Sequence, residues 1–291
     1  MTERVIDEIG IEDWNGPFDE ALRKRARASL ESGLVLFFPR LPFRLDENER
    51  AFLTGSVATG KSKNISLDPV TGKLQGMAVP DETAAQLAAM INRFGKSAAA
   101  LVEGLLGYRN LERARTSYRP IEVEGRTYSA RKDDRRLHVD AFPSRPMRGR
   151  RILRVFSNIA PERSRQWNVG EPFEPFARKF LPRVHPSWPG RASLFAALGV
   201  TKGRRSRYDD LMLALHDAMK FDSAYQDGTA KTAVSFPPGT SWMVFTDQVL
   251  HAALGGAFAL EQTFHFDIAE MGEPQRSPLK VLERLSGRAL V

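Results

Sequence analysis

From about residue 120 onward the chain breaks into short segments rich in β-branched and aromatic residues, separated by Pro/Gly turns. They include RILRVFSNI at 151–159, TAVSF at 232–236, SWMVFT at 241–246 and ALEQTFHFD at 259–267. Segments of this kind at this spacing read as strands of an antiparallel sandwich or jelly roll. IEVEGRTYSA at 121–130 and LHVDAF at 137–142 read the same way. A helix interrupts them near 207–220, and another closes the chain near 278–288. The earlier part has a different character. Phe18, Leu22, Ala26 and Leu30 recur at helical spacing over 17–32. Gly33 ends that helix, and LVLFF follows as a buried strand. A short helix over 46–54, a long polar loop over 55–80 and an Ala/Leu-rich helical region from Asp81, kinked at Gly95, complete this half. The expected fold is α+β, in one domain over 1–291. A mostly helical flank with one early strand (1–120) precedes a jelly-roll core (121–270) and a C-terminal tail helix (271–291).

Composition narrows the function. With 42% hydrophobic and 27% charged residues, wholesale disorder is excluded, and 291 residues suffice for a large core. The sequence has no cysteine, which removes disulfide scaffolds, thiolate zinc sites, iron–sulfur clusters and cysteine nucleophiles. Lys and Arg number 43 against 35 Asp and Glu, a net +8, so an anionic partner is expected. The longest weakly polar stretch, HAALGGAFAL at 251–260, falls far short of the roughly 18–20 apolar residues that span a bilayer. The N-terminal MTERVIDEIGIEDW carries early acids and no apolar export segment, which fits a cytoplasmic protein.

Two motifs compete for attention. GSVATGKS at 55–62 matches the spacing of a phosphate-binding loop at Gly55, Gly60, Lys61 and Ser62. Such a loop must follow a strand and open a helix. Here a helical segment precedes it and KNISLDPVTGK follows, so it reads as a basic loop whose Lys61, Lys63 and Asn64 can touch an anionic substrate. Of the five histidines, His185 sits in a turn and His216 in an apolar helix, both ordinary settings. His138 differs, because Asp140 follows two positions later. On an extended chain both side chains share a face while Leu137 and Val139 take the other. His251 follows an apolar strand 111 positions after Asp140. Two imidazoles and a carboxylate form the facial triad of non-haem Fe(II) oxygenases. A hydrogen-bonded His–Asp pair plus a loop histidine is the other reading. Arg154 alternates with Ile152, Phe156 and Asn158 on one face of an apolar strand. It implies a dedicated anion, either a dicarboxylate such as 2-oxoglutarate or an internal Asp/Glu. Between 126 and 154 there are ten Arg/Lys against three Asp, so the positive surplus surrounds the motif.

The segments at 137–159, 237–256 and 259–267, with SKNISLDPVTGKLQG at 62–76, together resemble the Kdo hydroxylase family. These are the Fe(II)/2-oxoglutarate-dependent dioxygenases of bacterial lipopolysaccharide biosynthesis. The resemblance implies a double-stranded β-helix (jelly-roll) fold with flanking helices. It also implies hydroxylation at C3 of a 3-deoxy-D-manno-oct-2-ulosonic acid (Kdo) residue on lipid A, yielding Ko. His138, Asp140 and His251 match the iron ligands. Many such oxygenases carry a basic residue about ten positions beyond the distal histidine. AFALEQTFHFD has no Arg or Lys there, so Arg154 is the expected co-substrate anchor, with Gln262 as a neutral helper and Arg131 as the alternative. Ascorbate is expected to keep the iron ferrous. Arg145, Arg148, Arg150 and Arg151, with Arg204, Arg205 and Arg207, would suit the phosphates of lipid A and an anionic inner-membrane surface. Among them Arg148 and Arg150, with Lys61, Lys63 and Asn64, are the expected substrate contacts. Partners are then O2, Kdo-lipid A and the cytoplasmic face of the inner membrane; no nucleic-acid motif is present. Two other readings stay open: an oxygenase of the same scaffold with another substrate, and a non-catalytic basic module for anionic lipid or nucleic acid.

Overall fold

The computed structural model describes residues 4–59, 62, 64–125, 129–184 and 203–291. Eleven strands are present among them: β1 (Ile6–Glu8), β2 (Val35–Phe38), β3 (Ile65–Leu67), β4 (Leu74–Gln75), β5 (Glu112–Arg119), β6 (Arg151–Asn158), β7 (Arg165–Val169), β8 (Thr232–Phe236), β9 (Ser241–Phe245), β10 (His251–Gly255) and β11 (Ala259–Phe266). The helices are α1 (Glu20–Glu31), α2 (Asp81–Leu101), α3 (Phe173–Phe180), α4 (Arg207–Phe221), α5 (Ser223–Gly228) and α6 (Pro278–Ser286). Eight strands form one sheet in the order β1-β2-β9-β6-β11-β5-β3-β4, antiparallel except for the β1–β2 pair. The other three form a small antiparallel sheet, β10-β7-β8.

Period-two alternation explains the layers. Leu153 and Val155 of β6, Met243 and Phe245 of β9, and Leu260, Phe264 and Phe266 of β11 pack in one cluster with Leu30 of α1 and Leu87 and Phe94 of α2. Phe156 of β6 and Trp242 and Val244 of β9 instead meet Trp167, Val169, Val234 and Phe236 of the small sheet. A third cluster joins Leu137 and Val139 to Phe176, Phe180, Leu215 and Leu282 of α3, α4 and α6. The pocket described below opens between the sheets.

Several expectations need correction. Five strands, not one, lie within 1–120. β3 and β4 are three and two residues long, and the ERARTSYR of β5 is too polar to show an apolar strand pattern. LHVDAF pairs through only one bridge, His138 with His251, and residues 121–125 form no strand. Gly95 does not break α2. A Cβ there would lie 2.0 Å from the Arg113 guanidinium and 2.6 Å from Gln262 Oε1, so the residue must be small to let β5 and β11 close on the helix. No helix among the described residues is long and apolar enough to cross a membrane.

Candidate metal centre

His138 and His251 are locked together by their backbones. His138 N–H donates to His251 O (3.0 Å) and His251 N–H to His138 O (2.9 Å). Asp140 N–H donates to Thr246 O at 2.7 Å, which ties the H-x-D segment to the turn after β9. With Leu137 and Val139 drawn into the helical cluster, His138 and Asp140 face the pocket, as the alternation requires. One donor atom from each of His138, Asp140 and His251 lies within 4.8 Å of the others.

The electronic state of these groups suits a metal. His138 Nδ1 donates to Arg136 O and His251 Nδ1 to Val249 O, both at 2.8 Å, so each Nε2 keeps its lone pair. Burial pushes both imidazole pKa values below the usual histidine range, and for His138 the neighbouring His251 adds to this. Burial works to raise Asp140, but the Arg154 guanidinium and His251 outweigh it and hold the carboxyl below its ordinary value. Two neutral imidazoles and one carboxylate fit ferrous iron, and fit neither a thiolate-seeking metal nor an all-oxygen calcium site. Trp167 stacks on His251 (centroids 5.2 Å, 24°) and stands edge-on to Trp242 (5.7 Å), fixing the ring from below.

The triad sits in a pocket of about 450 Å³. On the large sheet Arg154 is ion-paired with Asp140, its Nη2 2.8 Å from Oδ2, and donates a hydrogen bond to Glu261. Arg119 grips Glu261 from β5, with Nε at 2.7 Å. Arg165 lies on the opposite wall and donates to Gly256 O at 2.6 Å. The guanidiniums of Arg154, Arg119 and Arg165 thus share the inner pocket with the carboxylates of Asp134, Asp140 and Glu261. Thr263 and His265 continue the Glu261 face of β11 outward, and Asn64, Ser66 and Ser117 complete the far wall.

The expected site residues divide accordingly. His138, Asp140, His251, Arg154 and Asn64 line the pocket. Both anions weighed for Arg154 from sequence were plausible, and its partners here are the internal pair Asp140 and Glu261. Gln262 does not line it. Strand alternation turns it to the α2 side, where Arg113 Nε (3.0 Å) and Thr116 Oγ1 donate to its Oε1 and its amide donates to Ala114 O (3.1 Å). Arg131 is also elsewhere, bonded to Asp217 (2.5 Å) on α4 and 62% exposed. Arg150 pairs with Glu112 (2.6 Å) behind the pocket wall. Arg148 borders a separate hollow with Arg204, Arg205 and Arg207. Lys61, Lys63 and His185 lie outside the described residues. Sequence reasoning missed Arg119, Glu261, Arg165, Trp167 and His265, and it read His216 as ordinary. The ring of His216 stands edge-on to His138 at 5.9 Å.

The 3-deoxy-D-manno-oct-2-ulosonic acid (Kdo) hydroxylase family model matches residues 13–289. The chain belongs to the Kdo hydroxylase family. Solved structures of the Kdo hydroxylase KdoO, a non-haem Fe(II), α-ketoglutarate-dependent dioxygenase, are 45% identical to it. The form with α-ketoglutarate (2-oxoglutarate) and Fe(III) superposes with a TM-score of 0.95, and so does the form with succinate and Fe(III). For the cobalt(II) form it is 0.96. The match covers 99% of this chain and 98% of each KdoO chain. A search of curated proteins found no match. The antiparallel jelly roll and the enzyme class expected from sequence are those of this family.

One prediction follows from the buried histidines. Folding depresses the pKa of His265 to about 4, by burial first and Arg145 second, from an unfolded value near 6.5. The unfolded chain therefore binds the proton first, and stability is lost as pH falls from about 6.5 toward 4, by up to about 3 kcal/mol for this one group. His138 and His251 act in the same direction. Melting temperatures of the metal-free protein across that range should show the decline, and His265→Leu should make it shallower.

Proposed function

We propose that this family member hydroxylates C3 of a Kdo residue carried on lipid A, producing Ko, with 2-oxoglutarate anchored by Arg154. The observation that carries this is the buried His138–Asp140–His251 cluster opening into an arginine-lined pocket on a chain of the Kdo hydroxylase family. The match over nearly the whole chain supports reading 1–291 as one dioxygenase domain.

Ferrous iron with 2-oxoglutarate, when bound, would let O2 act as the oxidant, one of its oxygen atoms going to succinate as CO2 is lost and the other to an unactivated C–H bond. The chain supplies placement. His138, Asp140 and His251 would hold the metal, their clustered donors bordering the pocket. Arg154 would take the distal carboxylate of the co-substrate, with Arg119 able to remain the partner of Glu261. The packed Phe156, Trp167 and Trp242 exclude water behind the ligands. Ascorbate is the reductant that would keep the iron ferrous. The remote lipid A phosphates would give binding energy away from C3, and the Arg148/Arg204/Arg205/Arg207 hollow suits such anions. Lys61 and Lys63 are kept as substrate contacts beside Asn64, on the strength of the sequence.

The test is mass spectrometry of Kdo-lipid A incubated with the protein, Fe(II), 2-oxoglutarate, O2 and ascorbate. One added oxygen atom on Kdo, with stoichiometric succinate, is expected. Succinate formation with no change to Kdo would leave the oxygenase class standing and remove the substrate. Arg154→Met is expected to raise the KM for 2-oxoglutarate by roughly 10- to 100-fold, the worth of a charge-assisted hydrogen bond, and to weaken cobalt(II) binding less. An unchanged KM would move the anchor to Arg119 or Arg165.

The peripheral membrane reading rests on the net +8 and the arginine hollow. Co-sedimentation with anionic vesicles should weaken as salt shortens the Debye length to about 8 Å and below. Binding indifferent to salt would overturn the electrostatic account.

A further inference from the structure

The inner half of the pocket is accounted for by the metal ligands and their guanidinium neighbours. The outer half contains a histidine that this machinery does not use. His265 is 1% exposed, forms part of the pocket wall, and its Nδ1 has no hydrogen-bond partner among the described residues. It is not one of the three clustered donors around the metal position. An imidazole nitrogen buried without a partner costs free energy, and such an atom in a pocket wall points to a ligand.

We propose that His265, with Asn64, recognises hydroxyl groups of the sugar substrate. The proposal rests on the reading of a Kdo residue as that substrate and adds the residues that distinguish it from other guests.

Its position follows from the strand. Glu261, Thr263 and His265 alternate along the same face of β11, so the pocket wall runs outward from the arginine-bound Glu261 to the histidine. Across the sheet, Glu261 is in register with Ser117 of β5, and Ser117 with Ser66 of β3. The two serine hydroxyls lie 3.0 Å apart. Asn64, one position before β3 and so level with Arg119 at the opposite end of this wall from His265, also lines the pocket, and its buried Oδ1 has no partner, so a guest reaching both must extend along the wall.

The chemistry of these orphan atoms selects the ligand. Arg145 and Arg150 share the single carboxylate of Glu112, so the surroundings of His265 are net positive, and it is the hydrogen-bonding pattern of the orphan atoms that discriminates. Burial keeps the imidazole neutral at pH 7, so it offers one donor and one acceptor. Asn64 Oδ1 is an acceptor and cannot bond a carboxylate or a phosphate oxygen. A guest satisfying both must bring O–H groups, each able to donate and accept. A second dicarboxylate fails that requirement, and a polyhydroxylated sugar meets it.

The experiment compares wild type, His265→Leu, His265→Asn and Asn64→Ala, all loaded with metal. It measures hydroxylation kinetics on Kdo-lipid A. It also measures 2-oxoglutarate affinity from the spectrum of the cobalt(II) form, calorimetric binding of Kdo-lipid A to the cobalt(II)/2-oxoglutarate form, and melting temperature at pH 7.5. For His265→Leu the sugar KM and Kd should rise by about tenfold or more, with 2-oxoglutarate affinity within about twofold of wild type. Its melting temperature should not fall, because an unpaired buried nitrogen has been removed. His265→Asn, which places an amide near the former Nδ1, should recover most of the loss. Asn64→Ala should raise the sugar KM on its own, and it carries the test if the leucine variant fails to fold. Sugar KM and Kd within about twofold of wild type in both variants would overturn the proposal, as would a parallel loss of 2-oxoglutarate affinity. A wild type that turns over 2-oxoglutarate but neither binds nor oxidises Kdo-lipid A would instead bring down the substrate reading, and this inference with it.

Discussion

Asp140→Ala should reduce 2-oxoglutarate turnover to background and abolish tight cobalt(II) binding, while the fold survives. Loss of a residue that merely orients a metal ligand costs roughly 10- to 100-fold in affinity or activity. Asp140 is itself the carboxylate of the donor set and the partner of Arg154, so its loss exceeds that range. The structure tolerates the change because Arg154 keeps Glu261, and Asp140 packs no core. His138→Ala and His251→Ala should behave alike in turnover. Measurement of succinate release and of the cobalt(II) absorption band checks all three variants. An Asp140→Ala protein retaining full iron-dependent activity would show that the cluster is not the metal centre.

The largest loss of stability is expected from a pair next to the site. Arg151, at the start of β6, and Asp247, in the turn after β9, are 0% and 1% exposed. Arg151 Nε donates to Asp247 Oδ2 (2.8 Å) and Nη2 to Oδ1 (3.1 Å) and to Gln248 Oε1 (2.8 Å). The guanidinium lies 3.7 Å from the Phe245 ring centroid. Burial raises the Asp247 pKa and Arg151 offsets it only in part, so this carboxylate depends on its partner. Removing one member strands the other charge out of water, which costs about 3–5 kcal/mol. Asp247→Ala should therefore lose that amount in urea unfolding. Arg151→Met combined with Asp247→Leu should recover much of it, because no lone charge remains. A loss of under about 1 kcal/mol for Asp247→Ala would show that water reaches the pair. The same turn presents Thr246 O to Asp140 N–H, so the variant should also lower metal affinity.

The metal cluster was legible because its signal is local. H-x-D needs only an extended chain to place two donors on one face, and the apolar Leu137 and Val139 between them fix which face is buried. The strands of the core were legible where their inward residues are apolar, as in β6, β9 and β11. β5 was not, for the reason that makes it functional. Arg115, Ser117 and Arg119 face a polar pocket, so the strand has no hydrophobic rhythm. Arg154 carried an ambiguity that strand composition cannot resolve, because its partner Glu261 is brought beside it only by the β6–β11 register. Gln262 was misplaced for a related reason: counting residues from His251 ignores which side of β11 each one takes. His216 gave no signal, since the docking of α4 against the H-x-D segment is a tertiary contact with no trace in helix periodicity.

The backbone bridge between His138 and His251 joins two points more than a hundred positions apart in the chain. Closing so long a loop carries an entropic cost that contacts within either segment do not. A polypeptide still being synthesised, or clipped before β10, carries the H-x-D pair without its third donor. The three-donor set therefore exists only where β10 has docked beside the H-x-D segment.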